Sequence, residues 1–359
     1  MKSTHITIND IAREAGVSKS TVSKILNHQG SISEETVTRV NEIIERLGYI
    51  PNQRAVNFAR GTSRNIVYIA SAHKHTTYTN IFTFDIMCGA SHELSRHGYS
   101  IALVDLVQTL KAGGTVSDIV KSHSADGLLV HASALSDELI QVLRSVSLPH
   151  VIIGRPDLDP DLNWIDTDNT LAGVCAAEHM MECGYHSVLY VGPQKEELVS
   201  SQRLRGFKQY MLDHGHHVHR SHIVYTDGTR TGAYNTFSEF VKDREQEQPL
   251  ADIDAIVCEN NLLGLSVMRV LDEYEISTPE DIGFLTFDIH PYATIMDPLP
   301  TIVDVNAYDM GVAAADRILS CIDDPSRRVR EITTFPVLLQ GYTTIGANPP
   351  LEPFPELIP

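Results

Sequence analysis

Residues Ile8 to Asn27 read INDIAREAGVSKSTVSKILN, two short helical patterns around a tight turn. Thr7 is placed to cap the first helix with Asp10 three residues on, Ile11, Ala12 and Ala15 give it an apolar face, and Gly16 supplies the backbone freedom to end it. Ser18 then caps a second helix in which Val22, Ile25 and Leu26 share one face. Lys19, Ser20, Ser23 and Lys24 are left on the other. A capped turn followed by a basic, hydroxyl-rich second helix is the pattern of a helix-turn-helix that enters a DNA major groove; a plain helical corner needs no such polar face.

Working outward, Ser33 precedes a third helix with Glu34 and Glu35 in its first turn, and Val37, Val40, Ile44 and Leu47 repeat at helical spacing before Gly48. After Tyr49-Ile50-Pro51, Asn52 is a cap for one more short helix to about Arg60. Residues 1–62 carry 8 Lys/Arg against 6 Asp/Glu, whereas the whole chain has 28 against 46 and a formal charge of −18. An acidic body is a poor generic nucleic-acid binder, so DNA contact is confined to the head. A single small head binds weakly, and pairing two on a two-fold site predicts a homodimer and a palindromic double-stranded operator.

From about Asn65 short β-rich apolar runs alternate with helices, the signature of parallel sheets with helical crossovers. Ile66–Ala70, Ser100–Asp105, Gly127–Val130 and His150–Ile153 read as strands of one sheet; Ser187–Val191, His222–Tyr225, Ala255–Cys258 and Ile282–Phe287 read as strands of another. The likeness of ADGLLV to IDAIVC at corresponding places points to a duplicated α/β plan. The expected class is therefore α/β: a three-helix head (1–50), a hinge helix and linker (51–64), and a body (65–345) of two doubly wound subdomains, the first from 65–162 plus 293–323 and the second from 163–292 plus 324–345. A proline-rich tail, 346–359, follows; it is a poor substrate for an association helix, which favours a dimer over a tetramer.

The chain resembles transcription regulators of the lactose/galactose-repressor (LacI/GalR) family. The resemblance is carried by DIAREAGVS (Asp10–Ser18), TVSKILN (Thr21–Asn27) and LGYIPNQRA (Leu47–Ala55), and runs more loosely to about Ile345. It implies a DNA-binding set of Thr7, Ser18, Lys19, Ser20, Thr21, Ser23, Lys24, Asn27, Asn52, Arg54, Ala55, Phe58 and Arg60. Lys19, Ser20 and Lys24 fall at base-reading positions. Arg54 and Arg60 read as phosphate contacts and Phe58 as an apolar wedge in the minor groove. Lys24 stands where the family usually has Arg and Phe58 where it usually has Leu; Lys keeps a donor for guanine but not the two-pronged fork.

By the same resemblance the body is similar to sugar-binding periplasmic proteins and takes a small effector in the cleft at the carboxyl ends of its strands. Arg203 in QRLRGF, Asn260 in ENN, Asp288 in FDI and Asp304 match the polar effector contacts. Such groups suit a hydroxyl-dense ligand, a sugar or sugar derivative first. Ile289 and Gly154 replace polar residues of the pattern, which keeps open a purine, a nucleoside or a sugar phosphate held by Arg203 or Arg155, with either induction or corepression.

Other classes fare worse. No GxGxxG, GxxxxGK[ST] or GxSxG is present, so the sequence offers neither a phosphate cradle nor a nucleophile elbow, and no enzyme or cofactor is expected. A transport-type binding protein would call for export, and MKSTHITIND leads straight into a helix; with no long apolar run, a cytoplasmic protein without membrane contact is expected. Cys88, Cys175, Cys183, Cys258 and Cys321 lack CxxC spacing and read as free thiols. His214, His216, His217, His219 and His222 form a His-rich tract, read as a connecting loop before a strand with no metal assigned.

Overall fold

The computed structural model describes residues 6–26, 30–49, 62–70, 81–115, 117–118, 125–156, 162–193, 198–244, 250–290 and 293–344. It divides into two compact units, 1–64 with 124–126, and the remainder. Asn27, the hinge positions Asn52, Arg54, Ala55, Phe58 and Arg60, and the proline-rich tail lie outside the described residues.

The first unit is a three-helix head: α1 (Ile8–Ala15), α2 (Lys19–Leu26) and α3 (Glu34–Leu47). The backbone N–H and hydroxyl of Thr7 donate to the Asp10 carboxylate at 3.0 and 2.7 Å, which draws the Asp10 pKa below its ordinary value. Gly16 closes α1 at φ 66°, a left-handed value that a Cβ would disfavour. Thr21 N–H donates to Ser18 Oγ at 3.1 Å and starts α2. Ile11, Val22 and Val40 are fully buried at the centre. On α3 Val37, Val40, Ile44 and Leu47 all pack in this cluster as their spacing predicts, and Ile43, one turn after Val40, is the deeper of the two adjacent isoleucines, which widens the packed stripe by one residue. Within this unit the Asp126 carboxylate accepts from Ser63 N–H (2.7 Å), Ser63 Oγ (2.8 Å) and Arg64 N–H (3.0 Å).

In the second unit the elements run β1 (Asn65–Ala70), α4 (Ile81–Arg96), β2 (Ser100–Asp105), α5 (Leu106–Lys111), β3 (Gly127–His131), α6 (Asp137–Ser145), β4 (His150–Ile153) and β5 (Trp164–Thr167). They continue with α7 (Asn169–Glu182), β6 (Val188–Gly192), α8 (Leu198–Asp213), β7 (Ile223–Tyr225), α9 (Arg230–Lys242), β8 (Ala255–Cys258), α10 (Asn261–Glu273) and β9 (Gly283–Phe287). The last are β10 (Thr301–Asp304), α11 (Ala307–Asp323), β11 (Arg330–Thr334) and β12 (Val337–Leu339).

Two six-stranded sheets result, in the orders β11-β5-β4-β3-β1-β2 and β12-β10-β9-β8-β6-β7. All pairings are parallel except β10 with β12, and β1, β3, β6, β8 and β9 are almost wholly buried, as sheets covered on both faces require. The orders superimpose strand for strand, so β3 and β8, the ADGLLV and IDAIVC segments, hold the same place.

Sheet membership moves the expected boundaries. The strand at 164–167 pairs with β4, the strand at 330–334 pairs with it in turn, and both belong to the first subdomain, whereas the strand at 301–304 pairs with β9 and belongs to the second. The chain therefore crosses after β5, after β10 and again after β11, and α11 packs in the first core with Ile86, Ala90 and Leu94 of α4. Each sheet is completed by a strand from beyond a crossover, a long-range pairing with no local signature.

Candidate functional site

Both sheets end in polar residues, as open α/β sheets do where they bind ligands. In the second subdomain Asp304 is the last residue of β10 and Asp288 follows β9, in a left-handed conformation at φ 64° that Asp tolerates better than most side chains. Its N–H donates to Val303 O at 3.0 Å, and Asn261 on α10 donates to Ile289 O at 3.2 Å, so the turn is tied to strand β10 and to the start of α10.

Arg203 on α8 is the centre of the site and is 3% exposed. Gly173 and Gly206 set its depth: a Cβ on Gly173 would lie 1.9 Å from the Arg203 carbonyl oxygen, so α7 and α8 approach as only glycine allows. Arg203 Nη1 donates to Glu259 O (2.8 Å) and Asp288 Oδ2 (3.4 Å), Nη2 to Asp288 Oδ1 (3.3 Å), and Nε to Asn169 Oδ1 (3.1 Å). Its guanidinium also lies 4.8 Å over the Phe287 ring. Burial works against the charge, but Asp288 and Glu259 outweigh it and raise the pKa further.

The network reaches the first subdomain. Asn169 Nδ2 approaches Asp166 Oδ1 at 3.4 Å, and Asp166, on β5, accepts from the N–H groups of Thr167 (2.8 Å) and Arg155 (3.0 Å). Burial lifts the Asp166 pKa in spite of those amides. Phe82, near the start of α4, packs against both subdomain cores, and the Asp85 carboxylate on the same helix acts on Asp304. Burial first, then Asp288 and Asp85, push the Asp304 pKa up to about 6. Among the described residues this network thus sets the paired Arg203, with Arg155 acting on Asp166, against an excess of carboxylate.

Of the expected effector contacts, Arg203 and Asp288 pair directly and Asp304 stands beside them electrostatically. Asn260 is the N-cap of α10, its side-chain oxygen accepting from Leu263 N–H at 3.0 Å. The residue before it, Glu259, supplies the carbonyl under Arg203 and a buried carboxylate that accepts from Ser200 Oγ. Asn169, Glu259, Asp166 and Asp85 were not singled out from sequence; the run DTDN at a strand-to-helix junction (166–169) was the available signal. Gly154 has its own reason: its φ is 99°, and a Cβ there would meet Ala132 Cβ at 2.7 Å, so no side chain fits and Asp166 takes the Arg155 N–H instead.

In the head, Lys19, Ser20 and Lys24 are exposed on α2 and Thr21 and Ser23 half-buried, leaving a basic face over a packed one. Thr7 and Ser18 have their hydroxyls engaged with Asp10 and with Ser20 and Thr21. The His-rich tract runs along the surface, with His214, His217 and His219 exposed; within it His216 stacks on His186 at 4.3 Å and His214 on Tyr210 at 4.2 Å. Among the described residues no group of three His, Cys, Asp or Glu is arranged to hold a metal ion, and no helix is long and apolar enough to cross a membrane.

Residues 74–339 match the family model described as periplasmic binding proteins and sugar binding domain of the LacI family, and residues 7–52 match that of bacterial regulatory proteins, lacI family. The chain belongs to the LacI family. Within it, the chain is 27% identical over 322 residues to the HTH-type transcriptional regulator MalR of Staphylococcus xylosus, covering 88% of this chain and 91% of that one. Two solved structures share the fold: a transcriptional regulator CelR–cellobiose complex (TM-score 0.70, 23% identity, 94% and 99% of the two chains) and the lac repressor dimer bound to operator and the anti-inducer ONPF (TM-score 0.80, 18% identity, 95% and 99%). LacI-family membership gives the chain its two parts, a helix-turn-helix head and a two-subdomain ligand-binding body.

Proposed function

We propose that this LacI-family chain is an operator-binding transcription regulator, acting as a homodimer on a palindromic site, whose DNA affinity is set by a neutral, hydroxyl-rich ligand of the sugar class in the body cleft. The observation that carries the ligand class is the state of Arg203. Of the five N–H groups of a guanidinium, four are already donated, to Asn169, Glu259 O and both Asp288 oxygens. A phosphate would have to break that pairing and enter beside Asp304, Asp288 and Asp85. Sugar hydroxyls can instead donate to the carboxylates without bringing charge. That CelR has been solved with cellobiose supports the same class.

Asp166, Asn169, Arg203 and Asp288 form a polar chain from one subdomain to the other, so a ligand that bridges them favours one closure of the cleft over another. Ligand and operator are then linked through differential affinity for two states. Lys19, Ser20 and Lys24 are the base-reading side chains, and repression is the expected sense.

Selection of bound fragments from host genomic DNA tests the reading, with the full chain and with a chain lacking residues 1–62. One palindromic sequence enriched only by the full chain is expected. Enrichment that survives removal of the head would overturn it.

A further inference from the structure

The outer face of α8 carries a second cavity, of about 390 Å³, between that helix and β7, the edge strand of its sheet. Arg205, Lys208 and Leu212 succeed one another at helical spacing on its wall, opposite in sense to Arg203 and Phe207, which face the core. Leu212 (53% exposed) and Tyr225 (37% exposed) give it open apolar surface. Among the described residues its lining contains no Asp or Glu, although the chain has 46 of them and a formal charge of −18. Arg205, Lys208, His217 and the Tyr225 phenol are its charged and titratable groups among the described residues. Ser200 lines its inner end and donates to Glu259, so the cavity stops one hydrogen bond short of the Arg203 network.

We propose that this cavity is a second ligand site, separate from the sugar cleft, for a small organic anion with an apolar body, such as an aromatic or acyl carboxylate. The apolar body covers Leu212 and Tyr225, and the carboxylate is held by Lys208 and Arg205. Arg205 is available for this because its partner in the fold is neutral, Thr170 Oγ1 at 3.1 Å. A neutral sugar matches neither the cations nor the exposed apolar wall.

The test is photolabelling of the full-length protein with para-benzoylbenzoate, with uncharged benzophenone as control, followed by peptide mapping. The expected adducts fall within 198–213 and 217–225, are weaker by about tenfold in Lys208→Glu and Lys208→Gln, as loss of one charge-assisted contact implies, and persist in excess cellobiose. Lys208 is exposed, so both variants keep the wild-type melting curve. Labelling of this segment that is equal with benzophenone, or unchanged in both Lys208 variants, or adducts confined to other segments, would overturn the proposal.

Discussion

Asp126 and Asp254 do the same work in the two halves of the body's plan. Each immediately precedes the equivalent strand, β3 or β8, and each carboxylate accepts from the backbone N–H groups of the two residues ahead of the neighbouring strand: Ser63 and Arg64 before β1, His186 and Ser187 before β6. In strand register, Ile66 faces Gly127 and Val188 faces Ala255, so the Asp126 clamp is set one residue further out.

Burial alone would raise the Asp126 pKa, but the N–H and hydroxyl of Ser63 and the N–H of Arg64 hold the carboxyl below its ordinary value. A depressed folded pKa means that the contribution is complete above the unfolded value near pH 4 and is lost as pH falls through the folded one. Asp126→Asn is therefore expected to lower stability by about 1–2 kcal/mol at pH 7 and by less at pH 3, read from urea unfolding at both values. Equal losses at both would show that the carboxylate charge is not what the amides hold.

Asp304 has the opposite sign. Its pKa is raised to about 6, so the unfolded chain ionises first, and stability falls as pH rises from about 4 to about 6 and stays lower above it. Asp304→Asn is expected to raise stability at pH 7 by roughly 1–2 kcal/mol, discounting for partial exposure, and to flatten that window in thermal scans. It is also expected to weaken sugar binding, because a carboxylate kept at such a cost is positioned for a ligand.

Tyr68 and Tyr190 occupy matching register positions, opposite Leu129 and Val257, and both hydroxyls are buried without a partner among the described residues. Tyr190 sits beside Glu259 and Arg203, and burial drives its pKa well above the ordinary value. Tyr190→Phe removes an unsatisfied group with little change of shape and is expected to be neutral or stabilising by up to about 1 kcal/mol in chemical denaturation. A loss of more than about 1 kcal/mol would mean that the hydroxyl has a partner.

On the head, Lys24 is exposed and Ile25 buried on consecutive positions of α2. Lys24→Ala should weaken operator binding by about 1–3 kcal/mol with the melting temperature unchanged. Ile25→Ala should instead cost about 2–5 kcal/mol of stability through the cavity it leaves. Paired anisotropy and melting measurements separate the two; a melting shift in the Lys24 variant would contradict the division of faces.

How much of this was legible beforehand follows from how local each feature is. The head is written in caps and apolar spacing, and α1, α2 and α3 form where Thr7, Ser18, Ser33, Gly16 and Gly48 predict. The eight expected body strands are also found, within a residue at each end, because apolar runs bounded by turns are local. The sheet to which β5 and β10 belong depends on partners across crossovers, and no short stretch encodes it. At the site, Arg203, Asp288 and Asp304 were visible. Asn169 and Glu259 look in sequence like an ordinary helix start and strand end, and Asn260, which looks like a contact, caps α10.

The most direct test of the ligand reading is operator binding by the full chain, followed by fluorescence anisotropy on the selected palindrome during titration with cellobiose, maltose, their phosphorylated forms and free purines. A change in operator affinity of about tenfold or more, within the coupling range of two-site linkage, is expected from a neutral sugar and not from its phosphorylated form, and it should vanish in Asp288→Asn. A response to the phosphorylated sugars or purines alone would contradict the assignment.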